Sequence, residues 1–163
     1  METEAEEPDR PHTYEVVASS DEPFQRGDVR GEHTLYSDEP DFLPVMAGDD
    51  EHPAPVDYLV FGLVSCQASV LRQCLEKSRI EDYRIRATGT IASMRGEPSP
   101  PKMPDHTGNR IGEIDISIAL QVSPEDESRA RRCLDVYDQG CIVGQSLRAG
   151  IEYSRETAIE VES

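Results

Sequence analysis

The hydrophobic period along the chain changes several times, and each change marks an element. From Thr13, Tyr14, Val16 and Ala18 alternate with their neighbours. A second run from Val29 to Tyr36 follows a polar turn containing Gly27. This period of two predicts strands in a hairpin or small meander. Ser37 to Pro55 holds Asp38-Glu39-Pro40, Gly48-Asp49-Asp50 and further prolines, which is loop chemistry. A helix is predicted from Pro55, a residue suited to a first helical turn, with Asp57 at the positive end of the dipole. Tyr58 through Val64 is apolar on every side, which predicts a helix buried at the centre of the molecule. After Cys66 the helix turns amphipathic, with Arg72, Glu76 and Lys77 facing water, and it ends near Ser78. At 1.5 Å per residue it is about 35 Å long.

Two strands follow. Tyr83, Ile85, Ala87 and Ile91 share one face in the first; Ile114, Ile116, Ile118, Leu120 and Val122 do so in the second, with Glu113, Asp115 and Ser117 outside. The link from Gly96 to Asn109 carries four prolines and is predicted as a mobile loop. Ser123-Pro124-Glu125-Asp126 is a helix start, with an N-cap serine, proline first and acids in the first turn. That helix should reach Tyr137 and stop at Gly140. Cys141 to Arg148 reads as a short helix, and Ile151 to Val161 as a closing strand. Strands, long helix, strands, helix, short helix and strand make an α+β fold, not a parallel α/β one.

Composition adds three constraints. The 163 residues suit a single domain over 13–163, behind an acidic lead of residues 1–12 that is predicted to be disordered. Aromatic residues make up 6% and Trp is absent, so a monomer has a lean core and a partner chain would bury more surface. The formal charge of −17 comes from 33 acids against 16 bases, only Lys77 and Lys102 being lysines. Nucleic acid and anionic membranes would be repelled. Spread over the whole chain, this excess resembles proteins of salt-loving microbes such as halophilic archaea, where high ionic strength screens carboxylate repulsion. No run of about 20 apolar residues and no secretory signal is read, so a cytoplasmic location is expected. In that reducing compartment Cys66, Cys74, Cys133 and Cys141 are expected to be redox-active or buried rather than a disulfide framework.

Cys66 lies within the long helix behind Ser65, and its two readings are a core cysteine and a reactive one. Cys141 follows Gly140 at a predicted helix N-terminus, where free N–H groups and the dipole favour a thiolate. Such a thiol could meet Cys66 across the fold. Cys74 and Cys133 fall on amphipathic stretches and are read as packing residues. Neither a zinc site, a phosphate-cradling loop nor a serine triad has motif support, so no metal, nucleotide or flavin cofactor is expected.

Pro55-Val56-Asp57-Tyr58-Leu59-Val60-Phe61-Gly62-Leu63-Val64-Ser65-Cys66 resembles the P-x-[DE]-x-L-L-x-x-L-x-x-C helix of OsmC-like proteins, and Gly140-Cys141-Ile142-Val143 resembles that family's second cysteine motif. Arg30-Gly31-Glu32-His33, Asp38-Glu39-Pro40 and Gly48-Asp49 are similar to its upstream R-x-H, D-E-P and G-G motifs. The resemblance to the OsmC/Ohr family implies an intertwined homodimer whose central helices are wrapped by sheets from both chains. It implies a peroxidase in which Cys66 attacks an organic hydroperoxide, Cys141 captures the resulting sulfenic acid as a disulfide, and an external dithiol restores both thiols. In the hydroperoxide reductases an arginine and a glutamate assist the thiolate. Arg30 and Arg26 are the candidates for the first, each with an alternative as a solvated strand residue. The glutamate position is Val56, and the neighbouring Asp57 has an alternative as a helix-start charge. A non-catalytic dimer that binds a small hydrophobic molecule, or serves as a redox sensor, is the second reading.

Overall fold

The computed structural model describes residues 14–18, 24–39, 48–95, 110–151 and 157. The predicted acidic lead, the proline-rich link and nearly all of the predicted closing strand lie outside these residues. Contacts divide the chain into two units, one ending at Leu59 and one beginning at Val60.

The N-terminal unit is an antiparallel meander of β1 (Tyr14–Val17), β2 (Gln25–Val29) and β3 (His33–Ser37), in that order. The predicted second run, Val29 to Tyr36, holds the end of β2, a turn and β3, and the predicted polar turn before it is β2. Gly27 lies inside β2, opposite Val16 and Leu35, rather than in a turn. The chain reverses instead at Arg30 and Gly31, with φ of 54° and 69°, and the Glu32 N–H donates to the Val29 carbonyl at 3.1 Å. Glycine adopts this left-handed backbone freely, whereas arginine does so at a steric cost.

Asp38, at the end of β3, is buried and gathers the following loop. Its carboxylate accepts the backbone N–H groups of Glu39, Asp49 and Glu51 at 2.8, 3.0 and 3.2 Å. The Tyr36 ring stacks on His52 at 5.1 Å, and Phe24 meets both rings edge-on. The loop then delivers the chain to helix α1 (Pro55–Lys77). At its start the Asp57 carboxylate reaches back to accept the Ala54 N–H at 2.9 Å, which satisfies one of the donors a helix start leaves free.

In the second unit, β4 (Tyr83–Arg95) and β5 (Arg110–Val122) form an antiparallel pair in the alternation the sequence predicts, with Ile85 opposite Leu120 and Ala87 opposite Ile118. Their half-buried face meets α1. Gly89 makes the close approach possible: a Cβ there would lie 2.8 Å from a methyl of Val60 and 2.8 Å from one of Val64. Leu71, Leu75 and Ile80 form the core with Ala130 and Cys133 of α2 (Glu127–Val136). Ahead of α2, Pro124–Asp126 is a 3-10 turn. The predicted cap differs in detail, because the Ser123 hydroxyl donates to the Asp126 carboxylate at 3.1 Å and not to a backbone group. A second 3-10 turn, Tyr137–Gly140, leads into α3 (Ile142–Ala149).

The apolar first half of α1 departs from the expectation of complete burial. Leu59 and Phe61 are 40% and 67% exposed, and the buried row is Leu63, Gln67, Leu71 and Leu75. Residues four apart share one helix face, and among the described residues the neighbours cover that side. By length and composition α1 could also cross a membrane, contrary to the sequence expectation, with a mean hydropathy of 1.3 over an 18-residue window.

Candidate active site

Helix α1 carries Cys66, and α3 begins at Cys141. Leu63 and Val70, two turns apart on α1, face the segment around Cys141. A Cβ on Gly144 would be 3.6 Å from a methyl of Leu63, and one on Gly140 would be 2.9 Å from a methyl of Val70. At 100° per residue Cys66 lies about 60° around the helix from Leu63 and about 40° from Val70, on the same side as both. The two thiols, 75 residues apart in sequence, are neighbours that act on each other electrostatically, and both are free. Cys141 is fully buried and Cys66 partly so.

Cys141 is the N-cap of α3, and its Sγ accepts the Gly144 N–H at 3.2 Å. The sequence reading took a helix start to favour a thiolate here. The structure reverses the balance. Burial pushes the Cys141 thiol up, the Gly144 N–H opposes it, and Cys66 and the nearby Asp138 raise it further. One backbone donor offsets only part of the cost of desolvating a thiolate. Cys141 is therefore a protonated thiol at neutral pH.

Two groups around Cys141 escaped the sequence reading. Arg148, in the last turn of α3, grips Asp138 through both guanidinium nitrogens at 2.7 and 3.2 Å. The Cys141 N–H donates to the Asp138 carbonyl at 3.3 Å, so this ion pair fastens the far end of α3 to the turn that presents the thiol. Gln67, next to Cys66, is 4% exposed, and its Oε1 has no hydrogen-bond partner among the described residues. A polar residue at the apolar position between Leu63 and Leu71 was the available signal. Buried acceptors are seldom left unpaired, so Gln67 is an exception within the buried row of α1.

Arg26, Arg30 and Asp57 belong to the N-terminal unit. Arg26 pairs with Asp28 of its own strand and Arg30 with Glu32 of its own turn, each at 3.7 Å and about half exposed. Asp57 serves the helix start through Ala54. The same unit holds an apolar cavity of about 250 Å³ lined by Tyr14, Val16, Val29, Leu35, Tyr36 and Tyr58.

Cys74 and Cys133 depart from the packing role that their amphipathic stretches predict. They form a disulfide, with Cα atoms 5.6 Å apart. Two amphipathic helices facing one core bring the cysteines within bonding range, a consequence of helix docking that neither helix encodes alone. Among the described residues no group of side chains could hold a metal ion.

No curated protein matches the sequence. Among solved structures, the chain is similar to an OsmC-like protein of unknown function from Vibrio cholerae, at 16% identity and a TM-score of 0.59 over 84% of this chain and 93% of that one. It is also similar to an organic hydroperoxide resistance protein OsmC from Legionella pneumophila, at 13% identity and a TM-score of 0.56 over 87% and 92% of the two chains. The organic hydroperoxide resistance protein OhrB of Bacillus subtilis gives 13% identity and a TM-score of 0.52 over 85% and 91%. At these identities the likeness concerns the fold. The family model for OsmC-like protein matches residues 48–155, which include both Cys66 and Cys141, and the chain belongs to the OsmC-like protein family.

Proposed function

We propose that this protein is a thiol-dependent peroxidase that reduces organic hydroperoxides, and hydrogen peroxide as well, in oxidative-stress defence. The observation that carries the reading is the meeting of two free thiols, Cys66 and Cys141, from opposite halves of an OsmC-family chain. The Cys66 thiolate attacks the distal oxygen of the hydroperoxide and the O–O bond breaks. The alkoxide takes up a proton and leaves as the alcohol, and the sulfur becomes a sulfenic acid. Cys141 then displaces the hydroxyl, which leaves as water, and a Cys66–Cys141 disulfide forms. An external dithiol reduces it, becoming a disulfide itself.

A cation near Cys66 would favour its thiolate against burial, and Arg30 or Arg26 is the candidate donor. Val56 stands at the family's glutamate position and Asp57 is engaged by Ala54, so the acids beside these arginines are Glu32 for Arg30 and Asp28 for Arg26. The exposed Leu59 and Phe61 on α1 favour a homodimer, in which a second chain covers them. The cytoplasm is the matching compartment, and the acid-rich composition favours a saline one.

The apolar cavity under the meander supports a second reading, a non-catalytic dimer that holds a small hydrophobic ligand. One experiment separates the two. Dithiol-dependent consumption of cumene hydroperoxide is measured in molar salt for the purified protein and Cys66→Ser in parallel. The peroxidase reading expects turnover that vanishes in the variant; equal blank rates would leave the ligand-binding dimer as the better account.

A further inference from the structure

The four cysteines join the same two stretches of chain at two levels. Cys66 and Cys74 stand on α1, eight residues apart; Cys133 and Cys141 stand eight residues apart on the arm formed by α2, the Tyr137–Gly140 turn and α3. Cys74 is bonded to Cys133, and Cys66 faces Cys141, so the closed pair is nested inside the open one.

Around the disulfide the two stretches are fastened twice more. The Ser78 hydroxyl donates to Cys133 Sγ at 3.4 Å, and the Arg129 guanidinium donates to the Ser78 carbonyl at 2.9 Å. Cys133 is 1% exposed, among Leu71, Leu75 and Ile80. Beyond the disulfide the arm is held to α1 more lightly, by Val70 against Gly140 and Leu63 against Gly144.

We propose that the Cys74–Cys133 disulfide is a positioning device for the resolving step, which keeps Cys141 within reach of Cys66 while the end of the arm moves. This rests on the peroxidase reading. Bond formation requires the Cys141 sulfur to leave the Gly144 N–H and meet the Cys66 sulfenic acid. During that excursion the staple leaves about 16 residues of chain between the reacting sulfurs, where an unstapled chain has 75. Loop closure in a flexible chain scales as the three-halves power of length, and because β4, β5 and α2 stay folded, the resulting gain of about tenfold in encounter frequency is an upper bound. Cys74 and Cys133 exchange no electrons in this scheme. Their bond is already oxidised, and the cycle consumes one hydroperoxide and one dithiol per turnover as before.

The test is a single-turnover pulse of one equivalent of cumene hydroperoxide on the protein carrying reduced Cys66 and Cys141, followed by mass spectrometry with dimedone to trap sulfenic acid. Wild type, Cys74→Ala/Cys133→Ala and the more space-filling Cys74→Val/Cys133→Ala are compared. The proposal expects Cys66 to be oxidised at one rate in all three. Formation of the Cys66–Cys141 disulfide should be slower in the double variants, by up to about tenfold, with a matching rise in the dimedone adduct. A purely structural staple would lower the melting temperature and leave that partition unchanged; a folded variant that resolves at the wild-type rate overturns the proposal. A second measurement does not require the variants to fold. Wild type held in steady turnover with dithiol and hydroperoxide should keep Cys74–Cys133 intact by mass, and loss of that bond without loss of resolving rate also overturns it. If wild-type Cys66 is inert to the pulse, the peroxidase reading itself has failed, a result distinct from either of these.

Discussion

Replacing Gly89 by alanine tests how α1 is seated on the sheet. Gly89 lies within β4, opposite Ile116, and its φ does not fall in the left-handed region, so the backbone accepts an alanine. Elsewhere such a change would stabilise a protein by about 0.4–1 kcal/mol, because alanine restricts the unfolded chain. Here the new Cβ would meet one methyl of Val60 and one of Val64, both at 2.8 Å. Ordinary contacts between carbons lie near 3.5–4.0 Å. Both valines are β-branched residues on a helix and hold essentially one rotamer, so neither methyl can swing aside. The first half of α1 must instead lift from the strand by several tenths of an ångström. Overpacking of this kind costs about 1–3 kcal/mol, which outweighs the entropic gain and fixes the sign as destabilising. In a unit of this size a loss of 1 kcal/mol corresponds to roughly 4–8 °C in Tm. Urea unfolding of wild type and Gly89→Ala in molar salt, with the transition followed by circular dichroism, gives the number. An unchanged or raised midpoint would refute the close seating of α1 on β4.

Three further outcomes follow from the geometry. Loss of Cys74–Cys133, by reduction or by Cys74→Val/Cys133→Ala, releases a link between positions 59 residues apart; the loop-entropy relation puts the loss near about 4 kcal/mol, and an unfolding free energy from urea titration that falls by less than about 1 kcal/mol would contradict it. Asp38 has a carboxyl that burial pushes up but that the N–H groups of Glu51, Glu39 and Asp49, with His52, bring below the ordinary range. Its stabilising effect is therefore present above the unfolded pKa of about 3.9 and fades as pH falls through the lower folded value. Acid unfolding should show Asp38→Asn less stable than wild type at pH 7, with the gap closing in strong acid, and a gap that widens on acidification would exclude the assigned cause. Cys141, its thiol pushed up by burial, should react with iodoacetamide at pH 7.5 more slowly than free cysteine, with a rate still rising above pH 9; a fast, pH-independent rate by peptide mass mapping would show a thiolate instead.

Much of this architecture was legible in the order of residues. Alternation at Tyr83–Ile91 and Ile114–Val122 places β4 and β5, and the register that pairs Ile85 with Leu120 follows from both apolar faces seeking one side. Pro55, Asp57 and the apolar run behind them mark the start of α1, and Gly140-Cys141 marks that of α3. The N-terminal run was harder to divide. Glycine occurs both in turns and inside strands, and only the pairing of Gly27 with Leu35 decides against a turn.

The sequence by itself determined the long helix, the β4–β5 pair and the helical arm that follows, and it supplied two cysteine motifs in family order, because these depend on local period, caps and residue type. It could not determine which thiol meets which. Cys74 and Cys133 look like ordinary members of two amphipathic stripes, and they become a disulfide only because α1 and α2 dock with those stripes face to face. Nor could it determine the state of Cys141, since a helix start and a buried pocket shift a thiol in opposite directions, and the degree of burial is a property of the assembled neighbours. The exposure of Leu59 and Phe61 was hidden for the same reason. An apolar run states that a surface seeks cover, and only the tertiary structure decides how much of that cover one chain provides.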